Sequence, residues 1–254
     1  MDLYYRTLGE GPPLIILHGI FGTSDNWQTF GKRLSEDYEV YLVDLRNHGN
    51  SPHSDEFDYP SMANDLHQFI ERHQLEQPII LGHSMGGKVA MFYATQHPEG
   101  LSKLIVVDIA PRAYPVHHQP VLDALGAVKI DEISGRDEAE AQMKPYVSER
   151  GVRQFLMKNL KRTDQQSFEW KLNLPVIRDN IENVGVAVDD SALVEKPVLF
   201  VRGDQSDYIQ QEDEPLIEKI FPQARVETIE GAGHWVHAEQ PDALYEVVMD
   251  FLQA

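Results

Sequence analysis

An α/β fold, with a mostly parallel central sheet flanked by helices and a helical insertion, is what this 254-residue chain predicts. Three observations predict it. Short apolar runs of strand length alternate with segments of helical period, the pattern of a parallel sheet covered on both faces. Most of the inner runs are continuously apolar rather than alternating, as strands buried on both sides must be. Between about 111 and 195 the alternation stops and helix-like pieces take over.

In chain order, the strands fall at 3–7, 14–17, 40–43, 78–81, 104–107, 198–201 and 225–229. Helical periodicity covers 27–34, 62–72, 85–96, 215–220 and 243–252, with Ser61 and Asp242 as entry caps for two of these. Within the insertion the helical pieces are 121–128, 137–147, 152–160 and 175–184. A helical block entering after the strand at 104–107 reads as a lid over the carboxyl edge of the sheet, where ligands bind in such folds. Apolar lid positions such as Tyr114, Phe155, Met157 and Trp170 are candidates to line a pocket, together with Phe21 and Trp235. No Ser/Gly/Pro-rich linker divides the chain, so residues 1–254 read as one domain with the lid inserted.

Composition removes several function classes. The chain has 22 Lys and Arg against 41 Asp and Glu, a formal charge of −19. Nucleic-acid binding needs a positive footprint, so no such partner is expected, and an anionic membrane would be repelled. There is no cysteine, which excludes disulfides, thiolate nucleophiles and zinc–thiolate sites. The first residues, Met1-Asp2-Leu3-Tyr4-Tyr5-Arg6, lack a basic and then apolar leader pattern, and the apolar runs are far short of a membrane span. A cytoplasmic protein is the expectation.

The chemistry concentrates in three glycine-flanked segments. Gly82-His83-Ser84-Met85-Gly86 lies between the strand at 78–81 and the helix at 85–96, which makes it a G-x-S-x-G nucleophile elbow. Glycines are needed on both sides because the serine occupies a strained turn and a Cβ nearby would strike the adjoining strand or helix. Ser84 is thereby exposed, and Met85 N–H, opening the helix, points at any anion formed beside it. His18-Gly19-Ile20-Phe21-Gly22 follows the strand at 14–17, and Ile20 N–H is the candidate second donor of an oxyanion hole. Gly231-Ala232-Gly233-His234-Trp235-Val236-His237 supplies a general base. His234 is preferred because it sits in the glycine loop after a strand, whereas His237 leads into the final helix. His18, His83, His234 and His237 raise the question of a metal, but no HExxH or carboxylate-rich spacing accompanies them, so none is expected.

With these residues in place, the chain resembles the α/β-hydrolase superfamily over essentially its whole length. Within it, the chain is similar to small bacterial esterases of the YbfF type and to ABHD11-like hydrolases. The matching stretches are 18–27, 43–52, 82–87 and 231–236, with Arg46-Asn47-His48-Gly49 in place of the commoner Arg-Gly-x-Gly. The resemblance implies the order nucleophile, acid, histidine. In most of the superfamily the acid follows the strand at 198–201, but Gly203-Asp204-Gln205-Ser206-Asp207 has serine at that place and Asp207 one residue late. Asp108, ending the strand at 104–107, is the favoured acid because the resembling subfamily uses the earlier position, and Asp207 is the alternative. Asp44 reads as structural, pairing with Arg46 or holding the His48 loop.

The resemblance therefore implies a serine carboxylester hydrolase acting on small-molecule acyl esters or thioesters of undetermined chain length, without a cofactor. Ser84 would attack, His234 would move the proton and the acid would orient the imidazole. Acyl transfer, carbon–carbon cleavage or lyase chemistry could use the same triad, and a ligand-binding protein without turnover is the alternative from another class. Oligomeric state is not legible in the sequence.

Overall fold

The computed structural model describes residues 1–254. Its strands are β1 (Tyr5–Leu8), β2 (Pro13–Leu17), β3 (Glu39–Val43), β4 (Ile79–His83), β5 (Leu104–Val107), β6 (Leu160–Arg162), β7 (Phe168–Trp170), β8 (Val198–Gly203) and β9 (Ala224–Ile229). The α-helices are α1 (Gln28–Leu34), α2 (Tyr59–Arg72), α3 (Met85–Gln96), α4 (Gln119–Ala127), α5 (Arg136–Met143), α6 (Arg150–Met157), α7 (Leu174–Asp179), α8 (Glu214–Ile220), α9 (Val236–Glu239) and α10 (Pro241–Gln253). Seven strands form one sheet in the order β1-β3-β2-β4-β5-β8-β9. Only the edge strand β1 runs antiparallel to its neighbour.

Continuous apolarity in the inner strands follows from burial on both faces. In β2, Leu14 and Ile16 join the cluster holding Trp27, Leu34, Leu244 and Val248, so α1 and α10 cover that face. Ile15 and Leu17 point the other way into the cluster of Leu66, Val89 and Ile217, which belongs to α2, α3 and α8. The two-residue period of a strand sorts one apolar run between two cores. The second cluster continues into the excursion between β5 and β8 through Leu122, Met143, Leu156 and Ile177.

That excursion departs from the all-helical expectation. Four helices, α4–α7, are joined by a hairpin in which β6 pairs antiparallel with β7. Helical periodicity at 152–160 stops at Met157 because the following residues close a turn, with Thr163 N–H donating to Ser167 O at 2.8 Å. The expected helix at 137–147 ends at Met143, and that at 175–184 is α7 followed by a 3-10 turn over Ile181–Gly185.

Two caps also move outward. Asp58, not Ser61, caps α2, its carboxylate accepting from Ser61 N–H at 2.8 Å, and Gln240 rather than Asp242 precedes α10. In both cases a proline in the first turn carries the helix start upstream of the residue expected to cap it. Asp242 instead meets Arg33 at 2.6 Å. No helix is long and apolar enough to cross a membrane.

Candidate active site

Ser84 stands between β4 and α3 with φ 51° and ψ −118°. The turn is possible because Gly82 and Gly86 have no side chain: a Cβ on Gly86 would lie 2.4 Å from Leu17 O, and one on Gly82 2.3 Å from Gly86 O. Asp108, the first residue past β5, is also in the left-handed region, at φ 53°. Sheet-edge hydrogen bonds hold both residues there, Ser84 N–H to Val107 O at 3.0 Å and Asp108 N–H to Val201 O at 2.8 Å. Strain at two non-glycine residues of one cleft is the kind that persists where geometry serves chemistry.

The structure brings Ser84, His234 and Asp108 into one line. His234 Nε2 lies 3.0 Å from Ser84 Oγ, and His234 Nδ1 lies 2.7 Å from Asp108 Oδ2. These partners define the tautomer, with Nδ1–H donating to the carboxylate and Nε2 free to accept the serine hydroxyl proton. Asp108 is fully buried, and its charge is met by Gly203 N–H at 3.2 Å and by the Ser206 hydroxyl. Asp207 lies apart from this line. Its carboxylate accepts from Gln210 Nε2 at 3.3 Å and its carbonyl from Arg112, so the one-residue offset read in the sequence turns its side chain away while Ser206 faces Asp108.

The loop after β2 is fixed by two buried imidazoles. His18 Nε2 accepts Leu45 N–H at 3.0 Å, and His48 Nε2 accepts Phe21 N–H at 3.2 Å. Burial drives the His48 pKa down to about 3 and lowers that of His18, which keeps His48 neutral and able to accept. Phe21, at φ 59°, has its N–H engaged and its carbonyl taken by Asn159 Nδ2 at 2.7 Å. The amide of Ile20, one residue earlier, donates to no group of the protein. Met85, the first residue of α3, has an amide without a partner inside its helix. Asp44 holds this region together, its two carboxylate oxygens accepting from Ser24 N–H at 2.7 Å and Asn50 N–H at 2.8 Å. Arg46 turns instead to Asp65, at 2.6 Å.

A cavity of about 370 Å³ opens on Ser84 and His234, with Ile20, Phe21, Phe155 and Trp235 in its walls. The excursion supplies one side of it, and Phe155 lies 5.9 Å from Trp235, ring centre to ring centre. Trp170 is not in this wall. It sits in β7 opposite Leu160, and the hairpin packs it against the core. Tyr114 lines a small adjoining recess that also reaches Ser84, Ile20 and Met85, and Met157 is buried in the core. His237 stacks on Trp27 at 4.3 Å, and burial pushes its pKa down to about 3. No group of three or more His, Cys, Asp or Glu is arranged to hold a metal ion.

Two contacts at His234 had no sequence signal. His83 Nε2–H donates to the His234 carbonyl at 2.8 Å, and the Tyr208 ring stacks on the His234 imidazole at 4.0 Å. Both join residues distant in the chain, so neither spacing nor composition could reveal them.

Residues 12–142 match the family described as alpha/beta hydrolase fold. The chain is 36% identical over 241 residues to esterase YbfF of Escherichia coli (strain K12), covering 94% of this chain and 92% of that protein. It is 36% identical over 261 residues to the sn-1-specific diacylglycerol lipase ABHD11 of Xenopus laevis, covering 100% of this chain and 83% of that protein. A solved structure described as a marine microorganism esterase superposes with a TM-score of 0.96 at 43% identity, covering 98% of this chain and 99% of that one. With this architecture, elbow and kinship together, the chain belongs to the alpha/beta hydrolase fold family.

Proposed function

We propose that this chain is a serine carboxylic-ester hydrolase in which Ser84 is the nucleophile, His234 the general base and acid, and Asp108 the carboxylate that orients His234. Kinship carries the reaction class, since relatives named esterase and lipase match along nearly the whole chain. The observation that carries the residue roles is the unbroken line from Ser84 Oγ through His234 to a buried carboxylate, opening on an apolar-walled cavity.

In the acylation step Ser84 Oγ attacks the acyl carbonyl while its proton passes to His234 Nε2. The carbonyl oxygen, now an oxyanion, is met by Ile20 N–H and Met85 N–H, dipoles already aimed before charge develops. His234 returns the proton to the departing alcohol or thiol, leaving an acyl-Ser84 ester. Water, deprotonated by His234, then attacks that ester and releases the acid. The substrate is a small acyl ester or thioester whose acyl group lies along the Phe155–Trp235 side of the cavity, beneath residues 111–195 acting as the lid.

Ser84→Ala should lower ester hydrolysis by several orders of magnitude with an unchanged circular dichroism spectrum, because the lost hydroxyl carries the covalent step. A fluorophosphonate should add its mass to the peptide containing Ser84. Turnover at the wild-type rate in Ser84→Ala would overturn the mechanism, and absence of both labelling and turnover in the wild type would leave a binding protein.

A further inference from the structure

His234 is held at more than its two hydrogen-bonding edges. The Tyr208 ring lies on its face, with centroids 4.0 Å apart and planes 21° apart. Tyr208 is itself fastened at three points. Its hydroxyl is 3.2 Å from His117 Nε2, its N–H donates to Ser206 Oγ at 3.3 Å, and its carbonyl accepts the Tyr114 hydroxyl. Ser206 in turn donates to Asp108 Oδ2, the oxygen that His234 Nδ1–H also reaches. A single loop after β8 therefore binds the carboxylate with one residue and covers the imidazole with another. Tyr208 and His234 both border a second, open cleft of about 430 Å³ on the Arg112 side.

We infer that Tyr208 is a positioning residue for His234, fixing the plane of the imidazole on the Ser84–Asp108 line and stabilising the imidazolium formed when Ser84 gives up its proton. The inference rests on His234 being the base. Tyr208 neither gives nor takes a proton: the proton moves from Ser84 Oγ to His234 Nε2, and the aromatic face offers its negative quadrupole to the cation. Burial raises the Tyr208 phenol pKa, so the ring acts as a neutral aromatic. The other groups facing His234 are Asp108 after β5, His83 at the end of β4, His117 and His118 before α4, and His237 in α9. His83, His118 and His237 are kept neutral by burial, leaving Asp108 and the Tyr208 face as the features that favour the imidazolium.

The test is the pH dependence of kcat/KM for Tyr208→Phe and Tyr208→Leu. Leucine keeps apolar cover over the imidazole but lacks a quadrupole; phenylalanine keeps both and loses only the contact with His117. Tyr208→Leu should lower kcat several-fold and move the acid limb to lower pH by about half a unit, as a roughly 2- to 5-fold stronger imidazolium acid requires. Tyr208→Phe should keep the wild-type limb. A Tyr208→Leu limb that coincides with wild type, or a Tyr208→Phe limb displaced as far, overturns the inference. Tyr208→Met serves as a second apolar replacement should the leucine variant unfold. His234→Ala, assayed by fluorophosphonate labelling of Ser84, separates the two readings. Undiminished labelling there removes the base assignment itself, whereas strongly reduced labelling with an unmoved Tyr208→Leu limb removes only the role of Tyr208.

Discussion

The carboxylate that His234 meets is decided by backbone direction at single residues. Asp108 leaves β5 in the left-handed region, which turns its side chain across the sheet edge to His234 and to Gly203 N–H. The loop after β8 presents Ser206 to the same carboxylate and leaves Asp207 exposed. Asp108→Asn would offer His234 an amide where it needs an acceptor for Nδ1–H, favouring the wrong tautomer. Its kcat should fall by up to about 10⁴, as loss of the acid does in serine triads, while Asp207→Asn stays within about twofold of wild type. Steady-state kinetics on the two purified variants decide it, and the reverse order would transfer the role to Asp207.

At the scale of elements, the excursion is tied to α3 by a lysine. Lys88 lies one turn past Ser84 and is fully buried. Its ammonium donates to Pro111 O at 2.9 Å and Arg112 O at 2.6 Å where the excursion begins, and to Val186 O at 2.9 Å where it returns. Burial pulls the Lys88 pKa down to about 7, opposed by Asp213, and the three carbonyls replace the water the ammonium has lost. Lys88→Met would keep the stem and strand those three acceptors. It should cost at least about 2 kcal/mol of stability, and limited proteolysis should cut between residues 111 and 195 sooner than in wild type. Unchanged cleavage and unchanged unfolding would mean the two ends of the excursion are held elsewhere.

The whole molecule should be sensitive to mild acid because it buries neutral imidazoles. Desolvation, reinforced by neighbouring histidines, pushes His48 and His237 down to about 3 and His118 to about 4. In the unfolded chain each would titrate near 6.5. Below that pH the unfolded chain binds protons that the native state refuses, so stability rises with pH through the window from about 4 to 6.5 and is lost as pH falls through it. Each group contributes at most about 1.4 kcal/mol per pH unit. The surface charge of −19 offers no compensation until carboxylates begin to protonate nearer pH 4. Urea unfolding midpoints should therefore drop between pH 7 and 5.5, and a midpoint that holds or rises over that interval contradicts the argument.

Local rules were enough for the sheet. Doubly buried strands must be apolar along their length, so the bounds of β2, β4, β5 and β8 could be read within a residue or two, and the elbow at Ser84 followed from the steric demands on Gly82 and Gly86. The excursion was less legible, because its helices are short and its apolar positions serve packing between pieces whose arrangement no period encodes. Trp170 is a pocket candidate by its sequence, but the hairpin closed by Thr163 and Ser167 carries it out of the cavity wall. What only the tertiary structure decided is which distant groups meet: Asp108 rather than Asp207 against His234, Tyr208 across its face, and Lys88 between the two ends of the excursion. Each contact joins residues at least 20 positions apart. The residue types are written locally, but their pairing depends on where the folded sheet and loops carry them, and that is a property of the whole chain.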